Sequence, residues 1–174
     1  MKTEKIIINA FGIDKPGIVS NISGLIANSN GNILTSKMVR VETMFTIIMI
    51  ISISKKNKNH LIKKINNIKD LKSFVRNIEP FNTPDNYRKY NFSIECIDNE
   101  GIIHHFTKYL NKEKINVEEM YTSLTNAPVT GSELFSLQSI VSIPKDLDIS
   151  KLKLKLNSLS EENNVNYKLI LKSE

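Results

Sequence analysis

Asp14-Lys15-Pro16-Gly17-Ile18-Val19 is answered, 84 positions later, by Asp98-Asn99-Glu100-Gly101-Ile102-Ile103. After the first hexapeptide come a helical stretch, Asn32-Ile33 and a strand-like run from Phe45 to Ile53. After the second come a helical stretch, Asn116-Val117 and a run from Phe135 to Ile143. Asp14, Gly17 and Asn32 thus recur as Asp98, Gly101 and Asn116. A period of this length exceeds a solenoid repeat and suits a small domain, so the chain reads as two copies of one fold.

Working outward from the first hexapeptide, Lys5 to Phe11 alternates as a strand, with Ile6, Ile8 and Ala10 on one face and Ile7 and Phe11 on the other. Pro16 suits the first turn of a helix, where its missing N–H costs nothing. Ile18, Ile22, Leu25 and Ile26 form one helical stripe, which Asn30-Gly31 ends. Ile33 to Val41 reads as a strand, Glu42-Thr43 as a tight turn and Phe45 to Ser54 as a third strand. Lys55 to Asn59 reads as a polar loop before a helix marked by Leu61, Ile62, Ile65 and Ile68. A fourth strand is expected within 74–81. The second copy repeats the order. Tyr90, Phe92, Ile94 and Cys96 make a strand, and Ile103, Phe106 and Leu110 a helical stripe. Strands at Asn116–Thr125 and Leu134–Ile143 flank a loop with Ala127-Pro128 and Thr130-Gly131. Ile149, Leu152, Leu156 and Leu159 mark the second helix, before a last strand at Val165–Leu171.

The fold class is therefore α+β: two ferredoxin-like β-α-β-β-α-β domains, each a four-stranded antiparallel sheet with helices on one face. The expected boundaries are 1–82 for the first domain, 83–88 for a linker containing Pro84 and Asp85, and 89–174 for the second. In the first copy Ile7, Ile48 and Ile50 make the face away from the helices apolar too, so a cover is expected from the other copy or another chain. The equivalent Asn91, Ser93 and Gln138 are polar and are expected to be less buried.

Composition narrows the function. The formal net charge is +6, but arginine is confined to Arg40, Arg76 and Arg88. Nucleic-acid readers lean on arginine, and ferredoxin-like sheets that bind RNA need aromatics on their inner strands, whereas these carry Ile6, Ile8, Ile48 and Ile50. Direct nucleic-acid binding is not expected. The lone Cys96 rules out a disulfide framework and reads as a core residue. No targeting segment or spanning run is visible, so the expectation is a cytoplasmic protein with no membrane partner.

The hexapeptide carries chemistry of its own. A turn feeding a helix N-terminus offers unpaired N–H groups and the positive end of the helix dipole. The N–H groups around Gly17 and Ile18 suit a carboxylate, Asp14 suits an ammonium group, and Asn32 adds a donor and an acceptor. The structural alternative is equally concrete: Asp14 capping the helix, Gly17 relieving packing and Asn32 sitting in a turn. His104-His105 point about 100° apart on a helix and suit no shared ion. Glu118-Glu119 face opposite ways on a strand, a poor acid–base pair. No catalytic set, metal site or cofactor motif is expected.

Asp14-Lys15-Pro16-Gly17-Ile18-Val19 with Asn32-Ile33 resembles the signature of ACT domains, ferredoxin-like modules that commonly bind amino acids and regulate a partner activity. Two tandem copies, with Ala127-Pro128 and Thr130-Gly131 before Leu134-Phe135, are similar to the glycine cleavage system transcriptional repressor family. The resemblance implies a non-enzymatic regulator with a small amino-acid ligand of the glycine or serine class. Its ligand residues would be Asp14, Lys15, Pro16, Gly17, Ile18, Asn32 and Ile33. Asp98, Gly101, Ile102 and Asn116 would be weaker counterparts, because Glu100 replaces the proline. It also implies a homodimer and a DNA-binding regulator protein as partner. The alternatives are a ferredoxin-like nucleic-acid-binding module and a stand-alone regulatory subunit of an amino-acid-metabolising enzyme.

Overall fold

The computed structural model describes residues 3–78, 86–97, 100–126 and 132–173. The chain divides into two units, Met1–Phe81 and Asn82–Glu174. Unit 1 runs β1 (Thr3–Ile13), α1 (Ile18–Asn28), β2 (Asn32–Val41), β3 (Met44–Ser54), α2 (Lys55–Asn66) and β4 (Leu71–Asn77). Unit 2 runs β5 (Tyr87–Ile97), α3 (Ile102–Lys112), β6 (Asn116–Asn126), β7 (Glu133–Pro144), α4 (Ile149–Glu162) and β8 (Asn166–Leu171). The sheets are ordered β2-β3-β1-β4 and β6-β7-β5-β8, with antiparallel pairing throughout. Each is the expected ferredoxin-like arrangement.

Each unit has its own core on one face of its sheet. In unit 1, Ile6, Ile8 and Ala10 of β1 and Ile47, Met49 and Ile51 of β3 pack with Ile22 and Ile26 of α1 and Leu61 and Ile65 of α2. In unit 2, Phe92 and Ile94 pack with Phe106, Leu110, Leu152 and Leu156. Cys96 belongs to this core. The period-2 strands and period-3.6 helices place these residues, because each element turns one apolar side to the other layer.

Local irregularities repeat as well. Gly17 and Gly101 both adopt left-handed backbone, at φ 93° and 81°. Asn30 and Lys114 do the same after the first helix of each unit, at φ 53° and 57°. The edge strands β2 and β6 are both bulged, between Ile33 and Thr35 and between Val117 and Glu119.

Several details differ from the sequence reading. Lys55 to Asn59 is helical, the opening of α2. Its polar side chains bond to their neighbours: Asn57 Nδ2 donates to the Ser29 carbonyl at 2.8 Å, and Lys58 Nζ donates to Glu4 Oε2 at 3.1 Å. Lys58 is the main cause holding the Glu4 carboxyl below its ordinary pKa. β4 starts at Leu71, earlier than expected, because Leu71 is buried against the core. In α3 the buried stripe is Ile102, Phe106 and Leu110, whereas Ile103 is 37% exposed. β5 already begins at Tyr87, within the stretch expected as linker, whose residues 83–85 lie outside the described part, as do Ala127-Pro128 and Thr130-Gly131.

On the face away from the helices, Ile7 and Ile50 are half-buried and Ile48 is 42% exposed. Asn91 and Gln138 are exposed and Ser93 is half-buried.

The bulge of β6 carries an electrostatic contact. Glu118 accepts a hydrogen bond from Ser142 Oγ and lies 2.8 Å from Lys89 Nζ. Lys89, then Ser142, hold its carboxyl below the ordinary value, against a smaller opposing effect of burial. A lowered folded-state pKa gives stability that is present above the unfolded pKa and is lost as pH falls through the folded one. Glu118→Gln is therefore expected to lower the unit 2 melting temperature at pH 7, by a difference that shrinks as the pH falls below the ordinary carboxylate range and through the lowered folded-state pKa. The pair stands at the solvent edge, so the loss at neutral pH is about 1 kcal/mol or less. Thermal melts across pH 2–7, compared with the parent, check this.

Candidate functional site

The hexapeptide of unit 1 joins the end of β1 to the start of α1. Gly17 is the residue before the helix, at φ 93° and ψ −6°, and no side chain caps the N-terminus. Asn21 N–H donates to the Gly17 carbonyl at 2.8 Å and Ile18 N–H to the Lys15 carbonyl at 3.3 Å, so the N–H groups that the helix does not pair internally are those between them in the first turn. Among the described residues, the first turns of α1 and α3 carry no Asp or Glu to offset the helix dipole. Pro16 lies in the turn ahead of Gly17 and not in the helix, because the left-handed glycine redirects the chain before the helix begins. A Cβ on Gly17 would meet nothing within 4 Å, so its surroundings are open and its identity follows from φ.

Asp14 does not cap α1. Its N–H donates to the Thr43 carbonyl at 2.8 Å, tying the loop to the β2–β3 turn. Its Oδ2 lies 3.7 Å from Arg40 Nη1 on β2. Lys15 Nζ contacts Asp70 Oδ2 at 2.7 Å, fastening the loop's other side to the residue before β4. Asp14 is half-buried, Pro16 and Gly17 are exposed, and Ile18 packs against the core edge. An open cavity of about 500 Å³ lies at the end of β1, lined by Phe11, Ile13, Met44, Asp70 and Lys72 and by no residue of the loop itself.

Asn32 and Ile33 stand elsewhere. Asn32 lies opposite Ser52, which lies opposite Lys5, whereas Asp14 follows Ile13 at the other end of β1. Nine residues of β1 separate these levels, about 30 Å at ~3.3 Å per residue. The structure therefore brings Asp14 to Ile18 together with Arg40, Thr43 and Asp70, and leaves Asn32 and Ile33 at the far end of the same sheet.

Unit 2 repeats the turn. Gly101 has φ 81° and ψ 1°, and His105 N–H donates to its carbonyl at 3.1 Å. Asp98 lies outside the described residues. Glu100 is exposed, Ile102 is buried, and Asn116 again starts the edge strand at the far end, opposite Ser142. A cleft of about 800 Å³ opens at this helix start, between Gly101, Ile103, His104 and Thr107 on one side and Leu124 and Phe135 on the other. His104 lines it, while His105 Nδ1 lies 2.9 Å from Asn163 Oδ1. Among the described residues, no group of three or more His, Cys, Asp or Glu is placed to hold a metal, and no helix is long and apolar enough to cross a membrane.

Arg40, Thr43 and Asp70 join the loop only in the folded unit. Arg40 and Thr43 are signalled by the Glu42-Thr43 turn, since a β2–β3 hairpin beside β1 must bring its tip to the end of β1. Asp70 carries no such signal, because nothing local marks Leu71 as the start of β4.

Residues 4–72 match the ACT domain family model. A stretch of 52 residues is 38% identical to a UPF0237 protein of Methanococcus maripaludis, covering 30% of this chain and 58% of that protein's length. A crystal structure of a protein of unknown function from Galdieria sulphuraria superposes with a TM-score of 0.89 at 25% identity, over 99% of this chain and 100% of the other. A candidate glycine cleavage system transcriptional repressor superposes with a TM-score of 0.71 at 19% identity, over the full length of both chains, a likeness of fold. The family match lies in unit 1, and unit 2 repeats the element order, sheet order and turn geometry of unit 1.

Proposed function

We propose that this chain is a non-enzymatic regulator that binds a small amino acid, of the glycine or serine class, and passes the signal to a protein partner. The observation that carries this reading is the loop Asp14 to Ile18. It combines an uncapped helix start at a left-handed glycine with open space before it and a half-buried carboxylate beside it. The N–H groups of the first turn receive the ligand carboxylate, and Asp14 receives the ammonium group. Arg40 sets the carboxylate of Asp14 in place, and Lys15 holds the loop to Asp70. The Gly101 turn is the weaker counterpart, because Glu100 adds negative charge where a carboxylate would dock. The regulated process in this reading is glycine metabolism, in line with the candidate glycine cleavage repressor of like fold, and the signal reaches it through a DNA-binding protein. The protein acts in the cytoplasm as a homodimer, as ACT domains often do.

The test is a thermal-shift screen of the full chain against the common amino acids, followed by calorimetry. Glycine or serine is expected to raise the melting temperature, since a ligand at 100 times its Kd adds about 2.7 kcal/mol. Gly17→Leu is expected to abolish binding, Asp14→Ala to weaken it about tenfold, and Gly101→Leu to leave it largely intact. Gly17→Asn, which tolerates left-handed backbone, separates loss of the site from loss of the fold. Binding that survives Gly17→Leu but not Gly101→Leu would move the site to unit 2, and no binding at millimolar concentrations would remove the sensing role.

A further inference from the structure

The two units provide a comparison of one fold with itself. On the sheet face away from the helices, Ile7 pairs with Ile50, and at the same position of unit 2 Asn91 pairs with Ile140. By the same registers, Phe11 is matched by Glu95, Ile48 by Gln138 and Phe74 by Lys168. The fold accepts polar residues at all four positions, so the apolar set of unit 1 is not a requirement of the sheet. Phe74 is 64% exposed and Ile48 42%; they flank Asn9 in one row of the sheet, next to the row of Ile50 and Ile7, and exposed apolar groups gathered in this way mark an interaction site.

Charge is just as unequal. Residues 1–81 hold 13 Lys and Arg against 5 Asp and Glu, net +8, and residues 82–174 hold 11 against 13, net −2. In unit 1 this excess reaches the apolar face itself. Lys37 lies opposite Ile48, Lys72 opposite Phe11, Arg76 opposite Ile7, and Lys5 opposite Ser52. Residues opposite each other in a sheet share a face, so four cations surround the apolar centre. Among the described residues, no Asp or Glu within the four strands stands on that face; Asp70, just before β4, lines the cavity at its end with Phe11 and Lys72 and is paired with Lys15. The unit 2 face mixes Glu95 and Glu119 with Lys89 and Lys168.

We infer that the open sheet face of unit 1 docks an acidic, amphipathic protein segment, a helix whose apolar stripe covers Ile7, Ile48, Ile50 and Phe74 and whose acidic margins meet Lys37, Lys72 and Arg76. Complementary charge steers such a partner and excludes others. A second copy of the same face is disfavoured, because it would set four cations against four. A nucleic-acid strand is disfavoured because the inner strands offer β-branched isoleucines at the centre, where stacked bases need aromatic rings. A lipid surface is met by apolar side chains projecting from an interfacial helix, not by a flat sheet. The inference stands on this face alone and does not depend on the amino-acid loop.

The test uses the full chain without amino acid and a labelled helical peptide of about 18 residues, with leucine on one face and glutamate on the other. Binding is expected, falling with added salt. A peptide with lysine in place of glutamate is expected to bind at least about tenfold more weakly. The variant Ile7→Asn, Phe11→Glu, Ile48→Gln, Phe74→Lys, which installs the unit 2 residues, is expected to keep the fold and to lose at least about tenfold in affinity. Lys72→Glu with Arg76→Glu, at exposed positions, is expected to lose about as much and decides the matter should the first variant fail to fold. The inference is overturned if the glutamate peptide fails to bind, if both peptides bind equally, or if neither variant weakens binding. It is equally overturned if a thymidine oligonucleotide or an anionic vesicle binds this face in preference to the peptide.

Discussion

Gly12→Ala is expected to unfold or nearly unfold unit 1. Gly12 is a buried residue near the end of β1, paired with Leu71 of β4. A Cβ there would sit 2.0 Å from the carbonyl oxygen of Asp70 and 3.1 Å from Leu71 Cα, both backbone atoms. A flexible side chain could turn aside, but this carbonyl is fixed by the start of β4, so the strand itself must move. The expected cost is about 3 kcal/mol or more. For a unit of this size that is roughly 12–25 °C in melting temperature. Gly24→Ala is the control. Gly24 lies within α1 with nothing within 4 Å of its Cβ position, so the same substitution there is expected to stabilise by about 0.5–1 kcal/mol. Calorimetric melts of the two variants should shift in opposite directions.

Phe106→Ala is expected to have an effect of similar size in unit 2. Phe106 is 1% exposed and its ring centroid lies 5.9 Å from that of Phe92. Removing the ring leaves a cavity between α3 and the sheet, with an expected loss of about 3–5 kcal/mol. Because each unit has its own core, amide exchange should accelerate in β5, β7 and α3 while Ile6, Ile8 and Ile51 of unit 1 stay protected. Equal acceleration in both units would mean that they unfold as one body.

The sequence exposed the fold where side-chain period and chain chemistry agree. The alternation in β1 and β5, the stripe Ile18-Ile22-Leu25-Ile26 and the Glu42-Thr43 turn all read directly. The repeat supplied the rest, because each copy tests the other. Failures came where tertiary contacts override local character. Lys55 to Asn59 has no apolar stripe, and only its bonds to Ser29 and Glu4, distant in sequence, explain why it is helical. Leu71 reads as a loop residue until the core is assembled around it. The loop Asp14 to Ile18 was legible as a motif, because Gly17 announces its own backbone. Its relation to Asn32 was not, since proximity in a motif says nothing of position along a strand. Strand register places Asn32 and Asp14 at opposite ends of β1's span, and it is invisible until pairing is known.

The paired bulges of β2 and β6 have a consequence for life at high concentration. Both strands form sheet edges, and every residue of β2 is exposed. A long, regular edge is a template for adding strands from other molecules, the first step toward fibrils. An unpaired residue near the start of each edge strand interrupts the row of donors and acceptors and adds local twist. An incoming strand cannot match such an edge along its whole length. The irregularity kept in both copies is thus a safeguard of solubility, and straightening it by deleting Leu34 would be paid for in aggregation.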